Sequence, residues 1–132
     1  ILDYGLLETV KEYCVKINNS DNFKIDFQTF GNYISLSKKT ETVIYRIIQE
    51  LVTNILKHSK ATEAMIQFNY REDELFITVE DNGIGFDKNT ISNGIGHKNI
   101  KTRIDFLNAQ LDVDSSSTGT SYTISIDLNK VK

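Results

Sequence analysis

Glu50, Asn54, Lys57 and His58 bring a carboxylate, an amide, an ammonium and an imidazole together within nine residues near the middle of the chain. On a helix, at about 100° per residue, these four positions fall within an arc of roughly 100°. The arc borders the apolar stripe of Ile44, Ile47, Ile48, Leu51 and Ile55, and Arg46, Gln49 and Thr53 take the solvent side. Such a polar edge beside a buried face suits a cavity wall that holds a metal–phosphate group. It also suits a solvated helix flank, so the pattern alone leaves both readings open.

A second cluster, Asp81-Asn82-Gly83-Ile84-Gly85, follows the alternating segment Leu75, Ile77, Val79. Period-two alternation puts Asp81 on the apolar face of that strand. A carboxylate there is costly unless a hydrogen-bond donor reaches it. The exocyclic amino group of an adenine is a suitable donor, and Gly83 and Gly85 allow the backbone close to a flat ring. A plain Asp-Asn-Gly turn is the alternative, and the parity of Asp81 weighs against it. Gly94-Ile95-Gly96-His97 opens a helix, where free amides and the helix dipole favour an anion; most Gly-x-Gly pairs are only flexible turns. Neither a Walker loop nor a Rossmann fingerprint is present. Thr120, after Gly119, shares the parity of Tyr122, Ile124 and Ile126. Its hydroxyl therefore faces the same interior as Asp81.

The elements that must position these residues follow from periodicity. Leu6, Leu7, Val10, Tyr13, Cys14 and Ile17 predict an amphipathic helix over 5–18, and Phe23, Ile25 and Phe27 a half-buried strand. A long helix over about 39–58 carries the first polar cluster. Residues 62–70 and 75–79 alternate on either side of the turn Arg71-Glu72-Asp73-Glu74, which makes a β-hairpin. A glycine-rich loop over 82–96 leads into a helix over about 97–108 with Ile100, Ile104 and Leu107. Strands near 109–116 and 119–128 close the chain. The order αβαββαββ predicts an α+β fold: a two-layer sandwich with helices on one face of a mixed, mostly antiparallel sheet. The 132 residues fit a single domain, with 1–38 an N-terminal helix and strand and 39–132 the motif-bearing core.

Composition narrows the function classes. A net charge of −3 argues against a nucleic-acid partner, because phosphate backbones reward basic surfaces. No apolar run approaches the roughly 18 residues that cross a bilayer. Cys14, the single cysteine, excludes an internal disulfide and fits a reducing cytoplasm; its helical spacing with Val10 and Ile17 reads as core. Proline is absent, so sharp backbone geometry falls to the glycines, five of which are Gly83, Gly85, Gly94, Gly96 and Gly119. The chain begins at Ile1, which suggests a piece of a longer protein.

In this order and spacing the motifs resemble the superfamily of DNA gyrase, the Hsp90 chaperones, histidine kinases and MutL, whose nucleotide domain has the Bergerat fold. Glu50-Leu-Val-Thr-Asn54-Ile-Leu-Lys57-His58-Ser59 resembles the asparagine box, in the version found in sensor histidine kinases of the nitrate-sensor type. Asp81-Asn-Gly-Ile-Gly85-Phe86 resembles the first glycine box, Gly94-Ile-Gly-His97 the second and Gly119-Thr120 the closing box. The likeness runs over about 40–128.

That resemblance implies a histidine-kinase catalytic domain using ATP and Mg²⁺. Asn54 would hold the Mg²⁺ that bridges the phosphates, with Glu50 a candidate second ligand and the group that orients a nucleophile or a metal-bound water near the γ-phosphate. Lys57 and His58 would contact phosphate oxygens. Asp81 would bind the adenine amino group, with Thr120 supporting it through the base edge or a water. Gly83, Ile84, Gly85, Gly94, Ile95 and Gly96 would shape the pocket and its lid, residues 86–96. His97 stands where leucine is common in these kinases, and is either a further phosphate contact or an exposed helix-start residue. The implied partners are a helical dimerisation domain of the same protein, bearing the phosphoacceptor histidine upstream of Ile1, and a response regulator. The domain would lie in the cytoplasm without touching the membrane. Alternatives in the same superfamily are an anti-sigma serine kinase or a stand-alone ATPase; a non-catalytic nucleotide-binding or protein-binding regulator is the reading from another class.

Overall fold

The computed structural model describes residues 5–19, 22–84 and 95–131, with the backbone alone over 95–98. Helix α1 (Leu6–Asn18) buries Leu6, Val10, Cys14 and Ile17, the stripe its spacing predicts. Strand β1 (Lys24–Phe30) follows. The Asn18 side chain pairs with both backbone groups of Ile25, at 2.7 Å and 2.9 Å, and so ties the end of α1 to this edge strand. Helix α2 (Lys38–His58) starts at Ser37, whose side chain accepts from Thr40 N–H and satisfies an orphan amide of the first turn. It buries Ile44, Ile47, Ile48, Leu51, Val52 and Ile55.

Strands β2 (Glu63–Arg71) and β3 (Glu74–Asp81) form the antiparallel hairpin. Helix α3 (Ile95–Phe106) leads through a short connection to β4 (Gln110–Ser116) and β5 (Gly119–Asp127). The sheet order is β1-β2-β3-β5-β4; β1 runs parallel to β2 and all other pairs are antiparallel. The one parallel pair needs a crossover, and α2 supplies it.

Alternation sorts the sheet into two faces. Ala64, Ile66, Phe68 and Tyr70 of β2, Leu75, Ile77 and Val79 of β3, and Tyr122, Ile124 and Ile126 of β5 are buried under the helices. Thr78, Glu80, Ser121 and Thr123 project from the other face. The result is the α+β two-layer arrangement that the element order predicts, with one continuous core. Thr53 departs from expectation. It is half-buried and hydrogen-bonds the Tyr13 hydroxyl of α1, because α1 covers the flank of α2 that the helical wheel alone leaves to solvent.

Candidate active site

Asp81 ends β3 and faces the core, only 7 % exposed. Its Cα partner across the β3–β5 ladder is Thr120, 2 % exposed, so the two side chains lie side by side on the inner face. Asp81 Oδ1 accepts from the Gly83 N–H at 2.7 Å. Asp81 Oδ2 is buried and has no partner among the described residues. Burial pushes this carboxyl above the ordinary carboxylate value of 3.8, against the opposing donation of the Gly83 and Thr120 backbones. A buried acceptor oxygen left open is expensive unless a donor arrives from outside the chain. The Thr120 hydroxyl lies 3.1 Å from Ser115 Oγ of β4.

Two glycines permit this packing. A Cβ on Gly83 would stand 2.2 Å from the Ser59 carbonyl oxygen, so Gly83 lies directly on the C-terminal end of α2. There Ile84 N–H donates to the same Ser59 carbonyl at 2.8 Å. The Ile84 side chain is exposed. Gly119 has a φ of +151°, and a Cβ there would come within 2.2 Å of the Asp81 carbonyl. Only glycine lets β5 begin so close to the end of β3. Asn82 fastens the turn from the other side, its Oδ1 accepting from Thr62 N–H and Glu63 N–H at 3.0 Å each.

The long helix packs on β3, and Ser59 at its C-terminal end meets Gly83 just past the end of that strand. Glu50 is ion-paired with Arg103 of α3 through one carboxylate oxygen. Its other oxygen, Oε2, is buried without a partner among the described residues, and so is Asn54 Nδ2 one turn further on. Lys57 and His58 are exposed in the last turn. The structure brings Asp81 and Thr120 together across the β3–β5 ladder and sets Gly83 and Ile84 on Ser59 at the end of α2; Asn54 and Glu50 stand further back along α2. Gly85 and Gly94, with the expected lid over 86–94, lie outside the described residues. Ile95, Gly96 and His97 are placed only as the first backbone turn of α3.

Arg103, which pairs with Glu50, and Ser59, on which Gly83 packs, are not among the site residues singled out above. A signal for Arg103 was present: it sits between Ile100, Ile104 and Leu107 on the buried stripe of α3, the same edge position that singled out Asn54 on α2. Ser59 closes the asparagine box, but its contact with Gly83 comes from another part of the chain and leaves no mark in the local sequence.

Orphaned buried polar atoms on α2, Glu50 Oε2 and Asn54 Nδ2, and at the end of β3, Asp81 Oδ2, suit a ligand with both donors and phosphate oxygens. Mg²⁺ in nucleotide sites takes one or two side-chain oxygens plus phosphates and water. Glu50 Oε2 and the amide oxygen of Asn54 can provide that many. No cluster of three or more His, Cys, Asp or Glu stands among the described residues, so the metal would arrive with the phosphates. Open concavities by Asn18 and Lys24 and at the β2–β3 turn contain no such orphaned atoms.

Residues 39–130 match the family of histidine kinase-, DNA gyrase B-, and HSP90-like ATPases. The signal transduction histidine-protein kinase/phosphatase DegS of Bacillus subtilis is 30% identical, aligned over 96% of this chain and 35% of its own length. The sensor histidine kinase ComP of the same organism is 32% identical over 88% of this chain and 16% of its own length. The chain thus spans about a third or less of these curated relatives. The histidine kinase domain of the blue-light activated kinase of Erythrobacter litoralis superimposes with a TM-score of 0.76 at 22% identity, over 96% of this chain and 67% of that one; this shows a shared fold. No helix among the described residues is long and apolar enough to cross a membrane.

Proposed function

This chain belongs to the histidine kinase-, DNA gyrase B-, and HSP90-like ATPase family, and we propose that it binds Mg-ATP and delivers the γ-phosphoryl to a histidine on a helical domain of a two-component sensor kinase. The observation that carries the reading is the buried, unpartnered Oδ2 of Asp81 at the end of an otherwise apolar strand face. The Gly83 and Thr120 backbones lie against the carboxyl, but no donor among the described residues reaches Oδ2 in hydrogen-bond geometry; an adenine amino group would complete it.

The chain's residues divide the work by position. Asp81 accepts the amino hydrogen and so selects adenine. Thr120, held near Ser115, supports that contact from β5. Gly83, pressed on Ser59, keeps the backbone low enough for a ring to lie over it. The exposed Ile84 side chain can cover an apolar face of the base. On α2, Asn54 places its amide toward the phosphates, and Lys57 and His58 offer positive charge where the phosphate tail leaves the pocket. Mg²⁺, held by Asn54 and the phosphates, would neutralise the charge that builds on the phosphate oxygens. Glu50 Oε2 then faces the γ-phosphate side, where it orients the incoming nucleophile. Phosphoryl transfer depends mostly on such positioning, so the domain alone turns ATP over slowly and needs its acceptor for speed. The acceptor histidine stands on a dimerisation domain of the parent kinase, and a response regulator takes the group onward.

The test is transfer of label from [γ-³²P]ATP to an added histidine-bearing helical hairpin from the parent kinase. The reading requires Mg²⁺-dependent, acid-labile, alkali-stable labelling of the hairpin. If ATP binds and no label moves under any condition, the chain is a nucleotide-binding regulator instead.

A further inference from the structure

Resting on the kinase reading above, we propose that Arg103 is a positioning residue that acts through Glu50. A carboxylate on a helix rotates about its side-chain torsions and presents either oxygen. In this chain the choice is made. The Arg103 guanidinium of α3 takes Glu50 Oε1, and Oε2 is left buried and unpartnered beside Asn54. Both side chains of the pair are about one-quarter exposed, at 27% and 24%. An ion pair this sheltered is screened less than a surface pair, and guanidinium geometry suits a carboxylate.

Arg103 is itself firmly placed. Ile100, Ile104 and Leu107 lock α3 into the core, and Lys39 Nζ of α2 lies 5.3 Å from the centre of the Phe106 ring. The α2–α3 contact is therefore held by apolar packing, a cation–π contact and the ion pair. Arg103 also stands about two turns along α3 from Ile95–His97, the turn that contains the second glycine motif. The helix that carries that motif is thus the helix that holds Glu50. Arg103 itself need touch neither nucleotide nor metal.

A double-variant cycle tests this: wild type, Arg103→Met, Glu50→Gln, the double variant, and Arg103→Lys. The readouts are the Mg-ATP dissociation constant by calorimetry, the single-turnover rate of ATP hydrolysis, and the urea midpoint of the nucleotide-free chain. Arg103→Met is expected to slow hydrolysis about 10- to 100-fold, the scale of a misplaced group, and to change the dissociation constant less than about 3-fold. In the Glu50→Gln background the same substitution should change the rate less than about 2-fold. Arg103→Lys, which keeps the charge, should recover most of the rate. In urea the double variant should be no less stable than the worse single variant. An equal fold-loss in both Glu50 backgrounds, or loss of Mg-ATP binding in Arg103→Met, would mean that Arg103 acts on the nucleotide directly, and the proposal fails. Additive urea midpoints also overturn it, whether or not nucleotide binds. Failure of wild type to bind Mg-ATP, by contrast, sinks the kinase reading itself.

Discussion

Replacing Asp81 by Asn keeps the shape of the side chain, removes its charge and puts an NH₂ donor where an acceptor oxygen stood. In the wild-type chain Oδ2 is buried with no partner, and in the proposed complex it receives the adenine amino hydrogen. The variant loses that charge-assisted hydrogen bond, worth about 1.5–3 kcal/mol, and sets two donors face to face, at about 1–3 kcal/mol for the orphaned one. The sum is about 2.5–6 kcal/mol, which at about 1.4 kcal/mol per decade weakens Mg-ATP binding between roughly 50-fold and 10⁴-fold. Stability moves the other way. Burial raises the Asp81 pKa above its ordinary value, so folding is disfavoured as pH rises from the unfolded value through the raised one, and the cost is complete above it. Asp81→Asn removes that cost, so the nucleotide-free variant should melt no lower than wild type. The same shift makes wild-type affinity fall as pH drops toward the raised value, while the residual affinity of the variant stays flat. Calorimetric titration across pH, with thermal melts of both proteins, checks all three statements. Unchanged Mg-ATP affinity in a folded Asp81→Asn chain would refute the reasoning.

Three further outcomes follow from particular contacts. Gly83→Ala forces a Cβ to within 2.2 Å of the Ser59 carbonyl, and this overpacking should cost about 1–3 kcal/mol in urea unfolding and weaken Mg-ATP binding as well. Glu41, 5 % exposed, accepts from Leu6 N–H, the Tyr33 hydroxyl and Leu36 N–H; Glu41→Gln turns one acceptor into a donor and should destabilise by about 2–4 kcal/mol, with nucleotide affinity per folded molecule unchanged. The Cys14 thiol is pushed up to about 11, first by burial and then by the charge of Asp26. At pH 8, alkylation of the native chain should be slower than that of the urea-unfolded chain by about 100-fold or more.

Periodic signals were the legible ones. The stripe on α2 and the alternation of β2, β3 and β5 could be read from the residue pattern, because side-chain direction repeats every 3.6 or every 2 residues. The same rule placed Asp81 and Thr120 on the inner face before any strand pairing was known. Registry between them required the fold: Asp81 meets Thr120 through a β3–β5 pairing across a long stretch of sequence. Tertiary partners were illegible for the same reason. Glu41 occupies the first position of the α2 stripe, yet its three donors come from α1 and from the connection before α2. Arg103 was passed over because a long cation beside an apolar stripe commonly reaches solvent. Thr53 was assigned to solvent because a helical wheel carries no knowledge of α1.

The central claim is that the inner end of β3 selects adenine, and parallel calorimetric titrations of Mg-ATP and Mg-GTP into the wild-type chain test it most directly. Guanine carries a carbonyl oxygen where adenine carries its amino group, so GTP would set two acceptors against each other at Asp81 Oδ2. Saturable Mg-ATP binding is expected, with Mg-GTP binding weaker by about 100-fold or more. Equal affinities, or no binding of Mg-ATP, would contradict it.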